Sequence, residues 1–140
     1  MPYEITQRER ERRQRQKEKC QELLASINRL LDSSDRAVDN NDYKILDENL
    51  KLLPIKKVDL LYEISLLWSQ PFIKWYIDMR DLDSFMDAAI DRIRRFLVMR
   101  ENDEKMTDKE KLLMKDAIRI IRQSKENFEN DEMDEYDILY

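Results

Sequence analysis

The chain has 140 residues, enough for one domain with a real hydrophobic core, and 41% of them are charged while another 41% are hydrophobic. That pairing excludes wholesale disorder and places the charge on solvated helix faces and at the chain ends. With no Gly, no His, three Pro and a single Cys, the composition excludes Gly-dependent phosphate loops, His-based catalysis and internal disulfides, and it favours helices joined by turns built on Asn and Asp.

A first helix is predicted to start at Thr6, because Thr6-Gln7-Arg8-Glu9 has the spacing of a capping box. Residues 7–19 (QRERERRQRQKEK) hold seven bases and three acids and no apolar side chain. Cys20, Leu23, Leu24, Ile27, Leu30 and Leu31 then follow at the spacing of a core-facing stripe. One helix is therefore expected to carry a basic arm into the body and to stop at Asp32-Ser33-Ser34-Asp35, leaving 35–41 as a weak segment.

A second helix is expected over about 42–53, with Ile45, Leu46, Leu50 and Leu53 inward and Pro54 as its end. A third covers about 57–69 with Val58, Leu61, Ile64, Leu67 and Trp68, broken at Pro71. The aromatic group Trp68, Phe72, Trp75 and Tyr76 around that proline reads first as core, and Trp75 as an interface anchor if exposed. A fourth helix, about 82–100, has Leu82, Met86, Ala89, Ile90, Ile93 and Leu97 on one face. A fifth starts at a second capping box, Thr107-Asp108-Lys109-Glu110, and runs through Leu113, Ala117, Ile120, Ile121 and Phe128. The expected architecture is all-α: a bundle of four to five helices (20–128) with a long basic N-terminal helical arm (1–19) and an acidic C-terminal tail (129–140).

The residue types argue against an enzyme. Without His there is no nucleophile–base pair of the Ser-His-Asp kind, and without Gly no P-loop or dinucleotide fingerprint. No cofactor is implied. Asp83, Asp87 and Asp91 recur every fourth residue and are the one row a hydrated Mg²⁺ would suit, though Arg94 and Arg95 stand close enough to pair with them. Cys20, heading the apolar stripe, reads as buried filler. No apolar run approaches the ~20 residues of a membrane span, and nothing resembles a signal peptide, so an intracellular protein without a membrane partner is expected.

Charge distribution carries the functional reading. Residues 1–19 sum to +3 and residues 129–140 to −6 within a net charge of −5, an asymmetry typical of interaction segments. The candidate contacts to nucleic acid or an acidic partner are Arg8, Arg10, Arg12, Arg13, Arg15 and Lys19 on the arm, together with Lys111, Lys115, Arg119 and Arg122 along one face of the fifth helix. In the tail, Met133, Tyr136, Ile138, Leu139 and Tyr140 stud an acidic run of the kind that folds on a protein partner. The expectation is a non-enzymatic helical interaction protein working on nucleic-acid machinery, as an accessory subunit or a viral or phage regulator. The alternatives are a structural subunit of a nucleoprotein assembly, using the same arm, and a purely protein-binding adaptor.

In plan and length, a basic helical arm on a helical bundle resembles the coat proteins of archaeal filamentous viruses. The resemblance implies a structural subunit that wraps DNA with the arm and forms homo-oligomers through the bundle. The acidic tail and the net negative charge depart from that pattern.

Overall fold

The computed structural model describes residues 6–67, 73–100 and 104–129, and gives the backbone alone for 67, 73–76 and 127. Among the described residues four α-helices follow one another: α1 (Gln7–Asp39), α2 (Tyr43–Leu67), α3 (Ile73–Met99) and α4 (Asp108–Ser124), with a 3-10 turn at Glu126–Phe128 after the last. No strand occurs among the described residues. Neighbouring helices run antiparallel, and contacts close a ring α1–α2–α3–α4–α1 around one core. This is an up-down-up-down four-helix bundle.

Two boundaries read from the sequence are absent, and the loss of the second merges the expected second and third helices into α2. Asp32-Ser33-Ser34-Asp35 does not stop α1. The buried set Ile27, Leu31, Ser34 and Val38 continues the stripe to the helix end, and the Ser34 hydroxyl satisfies itself on the Leu30 carbonyl at 2.7 Å. Pro54 does not end α2 either. A proline inside a helix leaves the carbonyl four residues earlier without a donor. Here that carbonyl belongs to Leu50, and Arg94 of α3 donates to it through Nη2 at 2.8 Å. A guanidinium from the next helix thus replaces the missing N–H. Pro71 lies outside the described residues, as do Trp68 and Phe72.

The α1–α2 turn shows how a chain without Gly reverses. Asn41 takes φ 54, the left-handed region that Asn tolerates better than most residues. Around it the Asp42 N–H donates to the Ala37 carbonyl at 2.8 Å and the Asn41 N–H to the Val38 carbonyl at 3.3 Å, the two bonds of a Schellman motif. Asp42 Oδ1 then accepts from the Ile45 N–H and caps α2. The Asn41 side chain also accepts the Met106 N–H at 2.7 Å, fastening the α3–α4 connection to the turn. Asn41→Ala is expected to destabilise the fold by about 2 kcal/mol, from the left-handed backbone and the lost bond together. Asn41→Gly should cost about half as much, because it keeps the backbone and loses only the bond. Urea denaturation of the two variants separates the contributions.

Helix register is pinned by a polar insertion in the α1–α2 interface. Asn49, buried, donates through Nδ2 to Ser34 Oγ and Ser33 Oγ, each at 3.1 Å. A satisfied amide among leucines fixes which turn meets which, since a shifted register would orphan it.

α4 begins with the predicted capping box: the Glu110 N–H donates to Thr107 Oγ1 at 3.2 Å and the Thr107 N–H to Glu110 Oε1 at 2.9 Å. At Thr6 only half of the box forms. The Glu9 N–H reaches Thr6 Oγ1, but the Glu9 carboxylate turns away to Arg12 and Arg13.

Three residues expected inward point out: Ile45, Val58 and Leu113 are exposed. In α4 the bundle takes Met114, Ala117, Ile118 and Ile121, one step round from the face read through Leu113. In α2 it takes Leu46, Leu50, Leu53, Leu60 and Ile64. That helix is apolar on two sides, so periodicity alone does not choose between them.

Candidate binding surfaces

The basic arm is the first three turns of α1, continuous with the body. Two of its arginines hold it there. Arg12 donates through Nη1 to the Leu66 carbonyl of α2 at 3.1 Å. Arg13 is buried, at 7% exposure. Glu9 bridges the pair, 2.6 Å from Arg12 Nη2 and 3.4 Å from Arg13 Nε. The Arg12 guanidinium, against a smaller opposing effect of burial and with help from Arg13, holds the Glu9 carboxyl below the usual carboxylate range.

Cys20, next inward, is fully buried. Burial, reinforced by the negative charge of Glu63, pushes its thiol up to about 12, so it packs as a neutral side chain.

Arg8, Arg10, Arg15 and Lys19, in the same turns, are all exposed. At ~100° per residue, Arg8, Arg15 and Lys19 fall within about 40° of each other. They form a row ~16 Å long on a helix that Arg12, Arg13 and Cys20 anchor.

The cations of α4 lie elsewhere, and three of them are paired with α1. Arg122 Nη2 sits 2.7 Å from Asp32 and 2.9 Å from Asp35 of α1. Lys115 Nζ is 2.6 Å from Asp39, and Lys111 donates to the Asp39 carbonyl at 3.0 Å. Arg119, exposed, stands 3.6 Å from its own neighbour Asp116. Three of the four predicted contact residues therefore stitch α4 to α1. The acids that receive them, Asp32, Asp35 and Asp39, recur at i, i+3 and i+7. That is the mate of the α4 row on an antiparallel neighbour and the signal that sequence reading missed.

The acidic row on α3 is likewise occupied. Lys57 of α2, buried at 5% exposure, places Nζ 2.6 Å from both Asp83 and Asp87, and Asp91 pairs with Arg95 at 2.9 Å. Among the described residues no group of three or more His, Cys, Asp or Glu converges as a metal site would require.

One feature went unread in the sequence. Arg100, at the C-terminal end of α3, donates to the Tyr43 hydroxyl at 3.1 Å. It also pairs with Glu110, donates to the Lys105 carbonyl, and lies 5.2 Å from the Phe96 ring centroid. Tyr43 in turn donates to the Glu104 carbonyl. An open hollow of about 950 Å³ lies beside this hub, between the α1–α2 turn and the end of α3. Its two guanidiniums, Arg94 and Arg100, are both engaged in holding helices together.

Of the remaining predicted partner contacts, Trp75 lies in the first turn of α3, its side chain outside the description. Met133, Tyr136, Ile138, Leu139 and Tyr140 lie outside the described residues, with all of the tail beyond Glu129. Among the described residues no helix is long and apolar enough to cross a membrane. Comparison with protein-family models, with curated proteins and with solved structures finds no match to this chain.

Proposed function

We propose that this protein is a non-enzymatic helical interaction module that binds nucleic-acid backbone through the N-terminal half of α1. The observation that carries the reading is the row Arg8, Arg15 and Lys19: three cations in solvent, side by side on a helix whose position the Arg12–Leu66 contact and the burial of Arg13 and Cys20 fix. Cations held in place by folding lose less freedom on binding than cations on a loose tail. Arginine dominates the surface, which suits bidentate contact with phosphate. The α4 cations have no place in this mechanism, because three of them are committed within the fold.

Fluorescence anisotropy with single- and double-stranded DNA and RNA across a salt series tests it. Three phosphate contacts predict a log K against log salt slope of about −3. Arg8→Glu/Arg15→Glu/Lys19→Glu should weaken binding at least about a hundredfold, since each site turns from attraction to repulsion. Arg119→Glu should leave affinity within about twofold, the size of a surface charge away from the contact. Equal affinity of the triple variant would remove the row as the binding site, and absence of binding at low salt would remove nucleic acid as the ligand. The same row would then belong to an acidic protein surface, the adaptor reading. A structural subunit of a nucleoprotein assembly draws on a different feature, the apolar face that α2 leaves in solvent.

A further inference from the structure

α2 carries more apolar surface than the bundle uses. Opposite its buried leucines stand Ile45, Leu52, Ile55, Val58, Tyr62 and Leu66, all exposed, with Ile55 at 56%, Val58 at 59% and Tyr62 at 61%. At ~100° per residue they fill a sector of about 140° with Ile55 near its middle. Helices apolar on both sides are ordinarily covered on both. From these exposures and ordinary side-chain areas, the face presents roughly 600 Å² of apolar surface, the upper end for a monomer's largest patch. It is also about three quarters of the ~800 Å² that each partner gives to a standard interface.

We infer that a second copy of this chain covers the face, α2 packing antiparallel on α2 about a two-fold axis through Ile55. A dyad at that residue sets each position opposite the one equally far beyond it, and the side chains match under that operation. Ile55 meets the partner's Ile55 on the axis, and Leu52 meets the partner's Val58 on either side. Lys51 meets the partner's Asp59, twice by symmetry, and Glu48 meets the partner's Tyr62, whose hydroxyl donates to the carboxylate. Asp59 and Glu48 are exposed and have no ion-pair partner among the described residues. Lys51 holds only its own Asp47 at 3.1 Å, a well-exposed pair of small worth that redirects readily. Moving the axis to Lys56 or Asp59 would set like charges against each other on it. The inference does not depend on nucleic-acid binding and concerns a different helix.

Sedimentation equilibrium of the free protein from micromolar to millimolar concentration reads it directly, and a reversible monomer–dimer equilibrium is expected. Ile55→Glu, which sets two carboxylates on the axis, should weaken the dimer at least about a hundredfold with an unchanged helical circular-dichroism spectrum. Lys51→Asp should weaken it about tenfold, and adding Asp59→Lys should restore it. Ile55→Cys should give a disulfide-linked dimer under mild oxidation, because the buried Cys20 is withheld from reaction. A protein monomeric throughout that range overturns the proposal. So does a dimer that tolerates Ile55→Glu and does not cross-link through Ile55→Cys, since another face would then hold it.

Discussion

Pro54→Ala is expected to stabilise the protein by about 1–3 kcal/mol, an unusual sign for a substitution inside a helix in the body of a fold. Proline in a helix interior costs about 3 kcal/mol relative to alanine. Part of that is offset here, because Arg94 supplies the donor that the Leu50 carbonyl lacks. Alanine restores the intrahelical N–H and frees Arg94. Arg94→Ala in the natural background should then cost about 1–2 kcal/mol, the range of a charge-assisted bond to a partly solvated carbonyl. In the Pro54→Ala background the same change should be nearly neutral. Urea denaturation of the four proteins gives a double-mutant cycle with a coupling of about 1 kcal/mol or more. Equal costs for Arg94→Ala in the two backgrounds would show that the guanidinium does not compensate the proline.

The second large effect is expected at Lys57. Its stem is enclosed between α2 and α3 while its ammonium meets two carboxylates that are about half exposed. Lys57→Met keeps the stem's packing and leaves Asp83 and Asp87 facing each other without their cation, at a cost of about 1–2 kcal/mol. Lys57→Ala also opens space in the α2–α3 interface and should cost about 2–3 kcal/mol. The ion pair has a pH signature. Burial alone would lower the Lys57 pKa, but the hydrogen bonds and charges of Asp83 and Asp87 outweigh it, so the folded-state value lies above the ordinary one. A cation whose pKa is raised by folding contributes its full stability below the unfolded value, ~10.4, and loses it as pH rises through the folded value. The stability gap between the natural protein and Lys57→Met should therefore hold at neutral pH and narrow only above about pH 10. A gap that stays constant into alkali would mean that charge is not what Lys57 supplies.

The readings that succeeded rest on strictly local chemistry. Thr107 with Glu110, the stripe from Leu82 to Ile93, and the absence of Gly each decide something within a few residues, and each appears in the structure. The readings that failed needed a neighbour. Pro54 looks terminal until Arg94, forty positions on, is seen at the orphaned carbonyl. Ser34 looks like a stop until Asn49 is found against it. The charged rows divide the same way. Arg8, Arg15 and Lys19 stay in solvent as their local pattern suggests. Lys111, Lys115 and Arg122 form as clean a row, yet their acids lie some seventy to ninety residues earlier. A charged row on one helix carries no label saying whether its counterpart belongs to the same chain.

The stitching of α4 to α1 also gives the molecule a grain. The α1–α2 hairpin is closed by three residues, so its contacts form with little loop to order, and its interface holds the buried Asn49 as well as leucines. α4 joins later in the chain. On its α1 side it is held by ion pairs at the solvent edge, which ionic strength weakens while leaving the hairpin's apolar contacts intact. Raising ionic strength is therefore expected to loosen the α1–α4 seam before the α1–α2 hairpin. The contact of Arg12 with Leu66, which holds the basic row, belongs to that hairpin and not to the far side of the bundle.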